Sequence, residues 1–244
     1  MDLVGIALGD VDLDRLCRLL LRHSGEEDKR ADDEHDHDDQ NSKSGHAGAF
    51  AEAGRRCIAL LVNELVKRLD RPVVLVGLMG VGKSTVGRRL AKRLGLPFVD
   101  SDSAIEDASG FSAAEVYERY GEADFRDGER RLVARLVEGQ VRVIATGGGA
   151  YVDPRTRDLL NERAITVWLD APVDILAERT SRRDTRAQLR NGDPKATLAK
   201  LSEQRRPAYE EAHIHVKSGT GAHRDVVEAI VQALNDYLAN QGAA

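Results

Sequence analysis

Two groups of residues in this 244-residue chain have the types and spacing to do chemistry together. The first is Gly77-Leu78-Met79-Gly80-Val81-Gly82-Lys83-Ser84-Thr85, a full match to GxxxxGK[ST]. The glycines of that pattern let backbone N–H groups close round a phosphate, Lys83 reaches the β- and γ-phosphates, and the Ser84 hydroxyl can ligate Mg²⁺. Gly80, Val81, Gly82 and Thr85 complete the cradle for ATP. The second group begins with Phe98-Val99-Asp100-Ser101-Asp102. On an extended strand end the two carboxylates would face the same way, one toward the metal's shell and one toward an acceptor hydroxyl. The plain alternative for Asp102 is a helix N-cap. Arg126 stands beside an aromatic in GEADFRDGE, where a surface salt bridge is the plain alternative. Thr146-Gly147-Gly148-Gly149-Ala150 offers three amides without side chains, suited to close approach of a ligand or to a flexible turn.

These groups need a scaffold, and the chain from residue 72 onward predicts one. Short β-branched runs, VVLVG at 73–77, FVD at 98–100, VRVIAT at 141–146 and AITVWLD at 164–170, alternate with helical patterns. Strands this apolar are covered on both faces, so an α/β fold with a parallel sheet is expected. The phosphate loop follows the first strand and opens a helix bearing Val86, Leu90 and Leu94, the context the motif requires. Asp225 to Leu238 reads as the closing helix, and His213 and His215 in HIHV as one face of the last strand. Trp168 and Tyr117 are expected in core or pocket walls, Tyr117 in the segment beside the acceptor. A guanine-specific NKxD is missing, and VRVIAT ends in glycines rather than the acidic pair of a motor ATPase. A small-molecule acceptor is the better fit.

Composition narrows the classes further. Lys and Arg number 36 against 41 Asp and Glu, a net charge of −5, which argues against a nucleic-acid binder. Hydrophobic residues are 41% and charged residues 32%, as in soluble globular chains. No run approaches a membrane span, and Met1-Asp2 opens without a secretory pattern. Cys17 and Cys57 fit no metal-ligand spacing, as in reduced cytoplasmic proteins. Residues 1–70 form an extension of their own: an amphipathic helix around Val11–Leu21, an acidic flexible loop at about 24–48, and a second helix from Phe50 to Leu69. Residues 26–39 hold nine acids and two bases, too little apolar surface to order themselves. The two helices are available for self-association of an otherwise monomeric chain.

Taken together, GLMGVGKST, FVDSD, GEADFRDGE, TGGGA, the run Arg179 to Arg186 and Arg205-Arg206-Pro207-Ala208-Tyr209 closely resemble the shikimate kinase family over about residues 72–240. The resemblance implies a P-loop nucleoside-monophosphate-kinase-like fold, with a five-stranded parallel sheet flanked by helices and a mobile lid. The kinase domain would span 71–242, its substrate-binding part about 102–132 and its lid about 181–196. It also implies transfer of the γ-phosphoryl of Mg-ATP to the 3-hydroxyl of shikimate. Asp102 is then the carboxylate that holds the acceptor hydroxyls and serves as base, and Asp100 a second-shell partner of Mg²⁺. Arg126 and Arg205 clamp the shikimate carboxylate, and Gly147, Gly148 and Gly149 meet the substrate with their backbone. Arg186 is the lid arginine that closes on the phosphates, and Arg179 lies against adenine. The chain departs from the family where Arg186 is followed by Ala187-Gln188-Leu189 instead of Pro-Leu-Leu, which should loosen the lid backbone. The competing readings are a gluconate-type sugar-acid kinase and a non-catalytic nucleotide-binding regulator.

Overall fold

The structure, a computed structural model, describes residues 60–181, 193–219 and 221–241. The chain divides into two compact units, Met1–Glu64 and Leu65–Ala244. The expected first helix, the acidic tract and Arg186 with the three residues after it lie outside the described residues. Residues 60–68, from the second expected helix, are helical (α1) and end ahead of Arg71-Pro72, because a proline pushes the residue before it out of the helical region.

Five strands follow: β1 (Val73–Val76), β2 (Phe98–Asp100), β3 (Val143–Ala145), β4 (Ile165–Asp170) and β5 (Ile214–Lys217). They pair in parallel in the order β2-β3-β1-β4-β5. Every residue of β1 is buried, as befits a middle strand covered on both faces, whereas the edge strand β5 alternates buried and exposed. The crossovers are α2 (Lys83–Leu94), α3 (Ser101–Ser109), α4 (Ala113–Val137), α5 (Pro154–Arg163), α6 (Val173–Ser181) and α7 (Pro194–Tyr209), and α8 (His223–Gln241) follows β5. Val86, Leu90 and Leu94 of α2 and Ile230 and Leu234 of α8 supply the buried stripes of their helices.

Register brings the chemistry to one edge. Leu75 pairs with Ala145, Ala145 with Asp100, and Val76 with Trp168. The phosphate loop after β1, the glycine turn after β3 and the start of α3 after β2 therefore emerge side by side at the carboxyl ends of the strands, where parallel α/β sheets bind ligands.

Three local readings are corrected. Asp100 is the last residue of β2, but Asp102 lies in the first turn of α3, so the two carboxylates are not on one extended strand. Asp100, not Asp102, is the N-cap; its side chain accepts a hydrogen bond from the Asp102 amide at 3.1 Å. β5 begins at Ile214, after His213, and the two histidines have different partners. His213 Nδ1 accepts from the Thr166 amide at 3.1 Å, while His215 stacks on Trp168 at 4.1 Å.

The long α4 starts at a capping box, Ser112 with Glu115, and breaks at Gly121, whose φ of 81° and ψ of 173° suit only glycine. The break separates a first stretch ending at the exposed Tyr120 from a second that carries Phe125, Arg126 and Glu129.

Candidate active site

The phosphate loop has the backbone its sequence implies. Gly77, Gly80 and Gly82 all have positive φ, and Gly82 ends the loop as the N-cap of α2 at φ 97°. No side chain caps α2, so its first-turn N–H groups face the loop, the arrangement that attracts an anion. Lys83 is only 8% exposed, and its Nζ donates to the carbonyls of Gly77 at 2.7 Å and Leu78 at 3.0 Å. Ser84 and Thr85 stand beside it in the same turn. Arg179, in the last turn of α6, donates to Val81 O at 3.4 Å and to Gly219 O at 3.0 Å, which ties the loop's outer wall to the β5–α8 connection.

The acceptor side is built round the glycine turn. Thr146 pins it to β1, donating from its hydroxyl and its amide to Leu75 O at 3.1 and 3.2 Å. The buried Ser101 hydroxyl accepts from the Gly147 amide at 3.0 Å and so ties the turn to α3. A Cβ on Gly147 would stand 2.7 Å from Asp102 Oδ1 and 3.1 Å from Glu129 Oε1; one on Gly149 would stand 2.5 Å from Arg126 Nη2. Gly148 lies against the phosphate loop, where a Cβ would be 3.3 Å from the Met79 amide nitrogen. From α7, Arg205 Nη1 donates to Gly148 O at 2.9 Å. Asp102, Arg126, Arg205 and the three glycines thus meet at one place beside the phosphate loop, and Asp100 closes the strand next to it. Tyr117 meets Phe125, the neighbour of Arg126, edge to face at 5.6 Å.

One participant was not assigned from sequence. Glu129 is 2% exposed, and Arg126 Nη1 donates to it at 2.6 Å; the exposed Glu122 stands 3.8 Å from the same guanidinium. Arg126 is therefore held from within by Glu129 as well as by the surface pair with Glu122. The spacing Arg126–Glu129 is a helical i, i+3 pair and was legible as such. The Glu129 carboxylate lies against Gly147, eighteen residues further along the chain.

The family model described as shikimate kinase matches residues 79–235. A shikimate kinase of Rhodopseudomonas palustris is 50% identical over 176 residues, covering 72% of this chain and 87% of that protein. The chain belongs to the shikimate kinase family. A second relative, from Caulobacter vibrioides, is 51% identical over 175 residues, covering 72% of this chain and 88% of its own. A solved shikimate kinase of Acinetobacter baumannii, in complex with shikimate, superposes with a TM-score of 0.64 at 39% identity, covering 66% of this chain and 91% of that one. With shikimate kinase membership goes the enzyme class, an ATP-dependent kinase on this five-stranded parallel fold. Among the described residues no helix is long and apolar enough to cross a membrane.

Burial raises the pKa of Glu129 above its ordinary value, the Arg126 guanidinium opposes the rise, and Asp102 and Asp153 add to it. A carboxyl raised on folding contributes stability that is present below its unfolded pKa and lost as pH climbs through the folded one. Glu129→Gln removes that loss. Denaturant unfolding at about pH 4 and about pH 8 should therefore show the variant gaining on the wild type at the higher pH. A difference that does not change with pH would overturn burial as the dominant cause.

Proposed function

We propose that this chain transfers the γ-phosphoryl of Mg-ATP to the 3-hydroxyl of shikimate, giving shikimate 3-phosphate and ADP for aromatic amino-acid biosynthesis. The observation that carries the proposal is the single cluster of Asp102, Arg126 and Arg205 round a glycine turn that abuts the phosphate loop. Phosphoryl transfer asks mainly for positioning and charge neutralisation, and this cluster supplies a clamp and a base next to the phosphates.

Arg126 and Arg205 hold the shikimate carboxylate, for which planar guanidinium forks are suited. Asp102 holds the acceptor hydroxyl and receives its proton as attack begins. The backbone of Gly147, Gly148 and Gly149 lies against the acceptor. Lys83 and the loop amides of Gly80, Val81, Gly82, Ser84 and Thr85 bind the phosphates, Arg179 flanks the nucleotide, and Arg186 closes from the lid to exclude water.

For Mg²⁺ the chain offers the Ser84 hydroxyl at the start of α2 and, from the outer shell, the Asp100 carboxylate. Among the described residues no group of three His, Cys, Asp or Glu could hold a metal alone. That fits a Mg²⁺ bound through a hydroxyl, nucleotide phosphates and waters. The ion would supply charge neutralisation on the β- and γ-oxygens. We further propose a cytoplasmic monomer, in keeping with the cysteine usage, with residues 1–70 available for self-association.

A coupled ADP-release assay with shikimate, gluconate and no acceptor tests the proposal. ADP release that requires shikimate and is at least about tenfold faster than with gluconate is expected. Equal or faster release with gluconate, or release independent of acceptor, would overturn it.

A further inference from the structure

Tyr209 is a large, buried polar side chain in this neighbourhood that the roles above leave unused. It is the last residue of α7 and 1% exposed, and its hydroxyl donates to Gly148 O at 2.7 Å. The same carbonyl accepts from Arg205 Nη1 at 2.9 Å. Two donors from one helix, four residues apart and hence on one face, therefore converge on a single acceptor of the glycine turn. A carbonyl oxygen has two lone pairs, so both bonds are satisfied together.

The ring of Tyr209 makes a second set of contacts. It stacks on Trp168 at 5.9 Å with planes 21° apart, and on Tyr151 at 6.4 Å with planes 8° apart. Trp168 in turn borders the phosphate loop: a Cβ on Gly77 would stand 3.4 Å from its Cδ1. The tyrosine thus touches the acceptor side through its hydroxyl and the nucleotide side through its ring. Gly148 lies between the two, its Cα side against Met79 of the phosphate loop and its carbonyl on α7.

We propose that Tyr209 is a positioning residue for the acceptor: by sharing the Gly148 carbonyl with Arg205, it sets where the Arg205 guanidinium stands relative to the phosphate loop. The inference rests on the reading of Arg205 as one arm of the carboxylate clamp. An arginine has five N–H donors, so one can be kept on the turn while others meet a carboxylate. Without the phenol, the turn is tied to α7 by the Arg205 bond alone instead of by two converging ones, and the fork is free to swing with it. Burial pushes the Tyr209 pKa up to about 12, so the hydroxyl stays protonated and able to donate throughout the working range.

A clamp that holds the acceptor equally in the ground and transition states acts on KM rather than kcat. Tyr209→Phe keeps the ring and both stacks and removes only the hydroxyl. Its shikimate KM is expected to rise about 5- to 10-fold, with kcat and the ATP KM within about twofold of wild type. Tyr151→Phe is the control. That tyrosine is as buried and donates to Asn161 Oδ1 at 2.7 Å, away from Arg205. It should lose a comparable hydroxyl bond and lower the thermal midpoint without moving the shikimate KM.

An unchanged shikimate KM in Tyr209→Phe, or equal rises in both tyrosine variants, overturns the proposal. So does a rise in both KM values that tracks a fall in thermal midpoint, which is what loss of packing alone produces. Wild-type enzyme without shikimate-dependent turnover would instead overturn the functional reading, so the two failures are told apart.

Discussion

Asp102→Asn is expected to lower shikimate-dependent kcat by about 10²- to 10⁴-fold, the range for loss of a positioned proton acceptor. The ATP KM should stay within about twofold, because Asp102 belongs to the acceptor side of the site and the phosphate loop does not depend on it. The amide preserves shape and hydrogen-bonding reach, so the change isolates the negative charge. Asp102 lies against Gly147 beside the buried Glu129, and a neutral side chain relieves rather than strains that pair of carboxylates. Stability should accordingly hold or improve while turnover collapses. Near-wild-type kcat in the coupled assay would remove Asp102 from the proton-accepting role.

Gly149→Ala should damage the site by a different route. The added Cβ would stand 2.5 Å from Arg126 Nη2 and 2.9 Å from its Nη1, closer than any real Cβ contact, so the guanidinium must move. Moving it disturbs the 2.6 Å bond to Glu129 and loosens a buried carboxylate from its cation. The shikimate KM is expected to rise roughly 100-fold, with a fall in thermal midpoint. Gly128→Ala is the comparison. It lies on α4 between Arg126 and Glu129, and a Cβ there meets nothing within 4 Å. That variant should keep its KM and be slightly stabilised by helix propensity. If both alanine variants behave alike, backbone flexibility and not the clash is responsible.

The parts of this molecule that could be read from sequence are those whose signal is local. The apolar runs of β1 and β4 announce a doubly covered parallel sheet because burial on both faces leaves no room for alternation. The phosphate loop carries its geometry in its glycines. Asp100 and Asp102 were harder, because a strand end and a helix start share the same five residues. Which of the two governs a carboxylate two positions on depends on the cap, and Asp100 took it. Glu129 and Tyr209 were within quoted motifs yet had no role, for a tertiary reason. The first lies against Gly147, and the second bonds Gly148 across a separation of 61 residues. Nothing in the spacing of a helix reveals what its last residue will meet in a distant turn.

The one tryptophan of the chain carries a practical consequence. Trp168 lies between the rings of Tyr209 and His215, with the Arg206 guanidinium 5.2 Å from its ring and the first glycine of the phosphate loop at its edge. The indole fluorescence of the folded chain therefore originates from one known position that borders both halves of the reaction. Emission excited selectively in indole is a label already installed there, and every ligand titration of the unmodified enzyme comes with an optical reporter whose address is known.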